Sequence, residues 1–486
     1  MRIGLDIDNV ITDFDKSILE EFIEEDKNKR NIGIINPYAR HITSGMFDWS
    51  KEEIKDFYIN NMERIAKTLP VRDGAKYYMD KLLEDGHEIY LISHRVYPDY
   101  NNPFAVTVEW LKENNINYTK LILSKSTDKS PECIENKIDI MFDDVVSNCL
   151  KLRDNGVNVC LMGTEYNQIY KKDLPMVKEW SELYEKVNEM NKIKNVILDT
   201  DMYNEVDDQF ALTYLMKSLD KLNIEAITIA PFSGSGYANT KTIEEGTEKS
   251  YEVTLKVLDM MNMSEYKDKV YKGAINYFND SKEDNDAVNK IVEIVKKNDK
   301  TTLIAIGAIT NIALAINKDS SIIDKMEVVW LGGNSFLSKQ NQEFNFRQDM
   351  DAVRTVFESK VKLTVIPCRN VASNLVTTSY ELEHYLNNSE VGKYLCSIFK
   401  DIKKHYYKDE TDEYGSSKTL WDLSAVAYVL NKDWFVCENI SCPNILSNGC
   451  YEMTNDKHKI TFVNDLFRNK IFRDYFIKME DINEIN

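Results

Sequence analysis

Residues Val196 to Leu212 read VILDTDMYNEVDDQFAL, an apolar run of strand character that delivers Asp199, Asp201, Asp207 and Asp208 onto a turn before a helical pattern starts at Gln209. Carboxylates this close repel one another and raise each other's pKa unless a cation sits among them. Hard oxygen donors of this kind suit Ca²⁺ or Mg²⁺ rather than zinc. A solvated acidic turn capping the next helix is the alternative. It leaves unexplained why a buried strand runs straight into four charges that are costly to bury.

Outward from this stretch, the chain from Asn195 alternates strand and helix patterns, with strands in NVILDTD, IEAITIAPF, TTLIAIGAIT, MEVVWLGG and VKLTVIPC. That rhythm predicts a largely parallel sheet flanked by helices, with functional loops at the carboxyl ends of the strands. At 486 residues the chain exceeds one hydrophobic core, so two domains are expected. Hydrophobic content of 43% with 29% charged residues describes a soluble globular protein, and a formal charge of -19 argues against nucleic acid or an anionic membrane as partner. The eight cysteines show no CxxC pair, which predicts free thiols in a reducing, cytoplasmic setting. No signal-like segment or membrane-length apolar run is present.

A second strand followed by an Asp-x-Asp turn opens the chain: MRIGLDIDNVITDF places Asp6 and Asp8 two residues apart, on one side of a strand end. HEIYLISHR is another strand, ending at Ser93 with Arg95 beyond it, and DKSPECIENKIDIMFDD carries Lys129 ahead of a strand ending in Asp143 and Asp144. These four segments, in this order, resemble the motifs of haloacid dehalogenase phosphohydrolases, and the DxDNV form resembles the branch of 5'-nucleotidases and 5'(3')-deoxyribonucleotidases. Asn9 stands where many members carry Gly. The resemblance implies that Asp6 attacks phosphorus, that Asp8 protonates the leaving oxygen and later activates water, and that Ser93, Arg95 and Lys129 bind phosphate. It implies a Mg²⁺ site drawn from Asp6, Asp8, Asp143 and Asp144. Lys125 competes with Lys129 for its role. Residues 16–71 correspond to the family's small helical cap, and Phe14 just ahead of it with Phe47, Trp49 and Tyr58 within it are aromatics for the base or for the cap's own core. Asn158 to Met162 reads as a last strand and Met176 to Met190 as a helix, so the domains are predicted at 1–190 and 191–486.

In the second domain, DTD followed by VDDQFAL resembles the metal motif of inosine-uridine-preferring-type nucleoside hydrolases, with two more residues than the common form between Asp201 and the Asp207/Asp208 pair. GAITNIALAI resembles the segment whose backbone carbonyl binds calcium, at Thr310 or Ile309. EFNFRQDMDAV supplies Glu343 and Asn345, which match sugar-binding residues, and WDLSAVAY supplies Asp422 as the last carboxylate, unless it is only a helix cap. Asn239 is a further sugar-binding candidate. The resemblance implies Ca²⁺ held by Asp199, Asp201, Asp208, Thr310 and Asp422, with Asp201 as the base that activates water and Asp207 on the ribose. Many relatives place His directly before the last aspartate as proton donor. This chain has Trp421, so stacking on the base, or His405 or Tyr406, would have to assist the leaving group.

The expected fold is therefore α/β, two Rossmann-like sheets flanked by helices, the first with a cap. The expected activity is Mg²⁺-dependent dephosphorylation of a nucleoside 5'-monophosphate, then Ca²⁺-dependent cleavage of the nucleoside to base and ribose. Small-molecule substrates are the expected partners, and relatives of the second domain imply a homodimer or tetramer. Two other readings remain open here: independent hydrolases with unrelated substrates, or a nucleotide sensor with one inactive domain.

Overall fold

The computed structural model describes residues 1–172, 174–234, 237–281, 285–338, 341–406 and 417–480, without the side chains of 172 and 403–406. The chain divides into two compact units, Met1–Asn191 and Lys192–Asn486. Both are α/β. Among the described residues, no helix is long and apolar enough to cross a membrane.

In the first unit, β1 (Arg2–Leu5), β2 (Glu88–Ser93), β3 (Lys120–Leu123), β4 (Ile140–Asp143), β5 (Val159–Met162) and β6 (Met176–Val177) form one parallel sheet in the order β3-β2-β1-β4-β5-β6. The order reverses between β1 and β4, and at such a switch point the loops beyond the carboxyl ends part to leave a crevice. Buried strands with residues such as Ile3, Leu5, Ile89 and Leu91 explain the parallel arrangement, since both faces are covered. The helix expected from Met176 begins instead at Trp180, because Met176 and Val177 pair with Leu161 and Met162 as an edge strand too short to leave a periodic signal.

The cap lies between β1 and β2 and contains the helices Phe14–Lys29 and Lys51–Thr68. The second helix starts with a capping box, Ser50 and Glu53 satisfying each other's backbone N–H. Phe22 is the centre of the cap's core, with ring centroids of Trp49, Phe57 and Phe47 at 4.6, 4.4 and 5.7 Å. Phe47 and Trp49 are thus cap core. Tyr58 is half-buried and within the electrostatic reach of Asp8 and Asp15, the side on which the acidic loops lie.

In the second unit, β7 (Lys194–Thr200), β8 (Leu222–Ile229), β9 (Val270–Lys272), β10 (Thr301–Ala305), β11 (Met326–Leu331) and β12 (Lys362–Ile366) are parallel. A small pair, β13 (Val376–Thr378) and β14 (Ser417–Thr419), stands apart. β15 (Phe435–Ser441) and β18 (Lys459–Leu466) complete the main sheet, in the order β15-β18-β12-β11-β10-β7-β8-β9, with β15 its antiparallel edge; β16 (Asn444–Ile445) and β17 (Tyr451–Glu452) form a short separate hairpin. The switch point here lies between β7 and β10. The helix after β7 begins at Asp207 rather than Gln209, so both aspartates occupy its first turn, and all ten of its residues are buried.

Candidate active sites

In the first unit, the backbone N–H of Asp6 donates to the Phe142 carbonyl at 2.9 Å, carrying the β1–β4 register one residue past the strand. This brings Asp6 beside Asp143 and Asp144, whose carboxylates can all reach one ion. Lys129 sits between them, its ammonium 2.7 Å from Asp6 Oδ2 and 2.6 Å from Asp143 Oδ2, with all three side chains nearly inaccessible. Lys125, the competing candidate, is exposed. Burial works to lower the Lys129 pKa, but Asp6 and Asp143 outweigh it and keep the ammonium charged. Burial raises Asp143, and burial together with Asp143 and Asp6 raises Asp144 well above the usual carboxylate range. Such a group has the donors and the unfavourable self-repulsion that a divalent cation relieves.

Asp8 is placed differently from the expected metal set. Its carboxylate turns to the buried Arg95, with contacts of 2.5 and 3.2 Å, and Arg95 is fixed in turn by Thr107 Oγ1 at 3.2 Å. Ser93 ends β2, buried, with its carbonyl accepting the Ser124 N–H. Asn9 has φ +60°, a left-handed conformation that Asn tolerates better than most residues. Its amide donates to Asp144 Oδ2 at 2.9 Å and its oxygen accepts the Asp15 N–H at 2.8 Å, so it does more than a glycine could.

In the second unit, Asp207, Asp208 and Asp422 form the corresponding cluster. Asp422 occupies the cap position of the helix Leu423–Leu430, yet its side chain makes no capping hydrogen bond. It lies close to the Asp207 and Asp208 carboxylates instead, an approach that such groups tolerate only with a proton or a cation between them. Burial pushes Asp208 up to about 7, with Asp207 adding to the rise and a 2.5 Å hydrogen bond from Thr200 opposing it. Burial likewise lifts Asp207 to about 6 and, with Asp208 and Asp207 alongside, lifts Asp201 well above its ordinary value.

Asp199 is anchored by Thr228 Oγ1 at 2.6 Å and Asn311 Nδ2 at 2.8 Å, both on Oδ1, and burial still raises it to about 6. Asp199 Oδ2 and Asp201 Oδ2 are buried with no hydrogen-bond partner. Orphaned carboxylate oxygens, with Asp201 also in the field of Asp207 and Asp208, fit a hard cation such as Ca²⁺. Asp201 packs over Gly307, where an added Cβ would come within 3.0 Å of its Oδ1. Thr310 opens the helix after β10, and its hydroxyl donates to Asp349 Oδ2 at 2.6 Å; the alternative, Ile309, has its carbonyl engaged by Ala313 N–H.

The sugar-binding candidates separate. Glu343 caps the helix Phe344–Gln348, accepting the N–H groups of Gly333, Asn345 and Phe346, so three of its roughly four acceptor sites are spent on backbone. Asn345 donates its amide hydrogens to the carbonyls of Ile306 and Leu331. Asn239 is exposed, with φ +46°, and is not brought into the cluster by any contact among the described residues. Trp421 gives its backbone N–H to Asp207 Oδ2 at 3.1 Å, while its half-buried indole packs against the core. The side chains of His405 and Tyr406 lie outside the described residues.

Residues with no signal in the sequence reading also meet here. Thr200, Thr228 and Asn311 hold carboxylates, and Asn311 is visible only as a polar residue in an apolar helix start. Lys418 lies on β14 with its side chain 10% exposed, its ammonium 2.5 Å from Glu205 Oε2. Burial opposes its charge, but Asp207, Glu205 and Asp422 together keep it raised.

Comparison with known proteins agrees with this division. Residues 1–193 match the family model described as 5' nucleotidase, deoxy (pyrimidine), cytosolic type C protein. A Chlorobaculum tepidum protein described as a 5'(3')-deoxyribonucleotidase is 24% identical over 196 residues, 38% of this chain and 89% of that one. The Leishmania major inosine-uridine preferring nucleoside hydrolase is 28% identical over 159 residues, 32% of this chain and 49% of its own. The pyrimidine-specific ribonucleoside hydrolase of Escherichia coli O17:K52:H18 is 25% identical over 174 residues, 35% of this chain and 54% of its own. The chain thus aligns with about half the length of these two hydrolases. A purine-preferring ribonucleoside hydrolase from Gardnerella vaginalis shares the fold, with a TM-score of 0.50 and 22% identity over 60% of this chain and 100% of that one. With residues 196–471 matched by the model for inosine-uridine preferring nucleoside hydrolases, the chain belongs to that family, and it carries a second hydrolase domain, of the 5'-nucleotidase family, ahead of it.

Proposed function

We propose that the two units act in sequence on one substrate, the first releasing phosphate from a nucleoside 5'-monophosphate and the second splitting the nucleoside into base and ribose. In the first unit Asp6 attacks phosphorus, forming an aspartyl-phosphate as the bond to the sugar oxygen breaks. Asp8 gives that oxygen its proton, then takes one from the water that opens the aspartyl-phosphate. Lys129, Arg95 and Ser93 hold the phosphoryl oxygens. Asp6, Asp143 and Asp144 would hold Mg²⁺, which supplies further positive charge against the phosphate.

In the second unit Asp201 takes a proton from the water that adds to C1', and the C1'–N bond breaks. Asp199, Asp201, Asp208 and Asp422, with the Thr310 carbonyl, would hold Ca²⁺, which supplies orientation for the water and the sugar hydroxyls. Asp207 faces the ribose, and the 2'-hydroxyl makes a ribonucleotide the preferred substrate. The negative charge of the chain suits a small-molecule substrate rather than nucleic acid, in a cytoplasmic enzyme that assembles as a homo-oligomer.

The observation that carries the reading is the Asp207, Asp208 and Asp422 cluster of the second unit, together with one unpartnered buried oxygen on Asp199 and one on Asp201. The test is a panel of ribo- and deoxyribonucleoside monophosphates assayed for phosphate and free base. Ribonucleotides are expected to yield both, and deoxyribonucleotides phosphate with nucleoside accumulating. Phosphate release with no base from any nucleotide or supplied nucleoside would sink the reading of the second unit.

A further inference from the structure

Cleavage of a C1'–N bond builds positive charge on the sugar and negative charge on the departing base. The carboxylates beyond β7 answer the first. A cation kept among them would oppose catalysis unless it faced the second. Lys418 is such a cation, nearly buried on β14 and acting on both Asp207 and Asp422. Its ammonium is held by Glu205, which belongs to the loop between Asp201 and Asp207. The neighbouring Trp421 offers Asp207 only a backbone N–H, and its indole packs against the core.

We propose that Lys418 is a catalytic residue of the second unit, stabilising the departing base as its anion; this rests on the nucleoside hydrolase reading above. The electron pair of the C1'–N bond passes to the base nitrogen, and the Lys418 ammonium faces it as a hydrogen-bonded counter-charge without giving up its proton. The hydroxyl of water joins C1', the water's other proton passes to Asp201 and on to solvent, and the released base takes a proton from solvent. Glu205 keeps Lys418 aimed and stops it from collapsing onto the carboxylates.

The test uses the full chain on inosine and uridine and, in parallel, on p-nitrophenyl β-ribofuranoside, whose nitrophenolate leaves without a counter-charge. Lys418→Met is expected to lower kcat on nucleosides about a hundred- to thousandfold, the range for losing one donor aimed at a developing anion, and on the aryl riboside by no more than about threefold. Glu205→Gln should shift the ratio of the two rates in the same direction by about tenfold, and Lys418→Arg should restore most of it. Melting temperatures establish that each variant is folded. Should Lys418→Met fail to fold, the Glu205→Gln and Lys418→Arg ratios decide. Parallel losses on both substrates, or none on either, would overturn the proposal. A wild-type chain inert on both would instead overturn the hydrolase reading beneath it.

Discussion

The two acidic crevices occupy the same place in their sheets and are made of the same residue type, yet positive charge stands in opposite relation to them. In the first, Lys129 is seated between Asp6 and Asp143 and Arg95 grips Asp8, so four aspartates meet two buried cations. In the second, Asp207, Asp208 and Asp422 gather, and Lys418 is paired to Glu205 while feeling the charges of Asp207 and Asp422. A nucleophile approaching a phosphate must overcome repulsion between anions, so cations belong inside that site. A sugar losing its base becomes cation-like, so carboxylates belong around it. The difference teaches that an acidic cluster at a switch point specifies neither reaction. The position of the nearest cation separates them.

The largest effect expected from breaking this contrast is a reciprocal loss. Asp6→Asn should lower phosphate release at least about a thousandfold while base release from supplied nucleoside persists, and Asp201→Ala should show the mirror pattern with nucleoside accumulating. Separate phosphate and base assays read both, and joint loss of the two activities in a folded variant would contradict two separate sites. A smaller effect sharpens the role of the inner cation. Lys129→Met leaves Asp6 and Asp143 facing each other unpaired, which should cost the first unit about 3 to 5 kcal/mol of stability as well as its activity. Thermal unfolding checks this, and a variant as stable as wild type would mean that the carboxylates do not depend on Lys129. The smallest concerns Trp421. If its indole also reaches the base, Trp421→Ala should weaken nucleoside hydrolysis by about 1 to 3 kcal/mol and Trp421→Phe by much less. Unchanged rates with a lowered melting temperature would leave it as packing only.

Both openings were legible because a strand that stops at Asp-x-Asp is a local pattern, readable at Leu5–Asp8 and Leu198–Asp201. What was not legible depended on partners distant in the chain. β6 and β9 are two and three residues long, too short for any period. β15 reads as FVCENIS with exposed residues from Val436 to Asn439, because an edge strand needs no apolar face. Glu343 carries a motif match, but only its contacts with Gly333, Asn345 and Phe346 show how much of its carboxylate is spent on backbone. Lys418 stands in a polar run, GSSKTL, where a lysine reads as a solvated charge. Its burial appears only when Glu205, 213 residues earlier, is folded against it.

The tether on Asp199 has an evolutionary consequence. Asn311 spends its whole amide at once: Nδ2 donates to Asp199 Oδ1 and to the Ile229 carbonyl, and Oδ1 accepts the Ala274 N–H. Gly273 lies so close that a Cβ there would come within 2.4 Å of the Asn311 side chain. Thr228 supplies the other donor to Asp199. Positions 199, 228, 273 and 311 therefore cannot drift one at a time. Across descendants of this chain they are expected to change together or not at all, as a single inherited character written in four scattered codons.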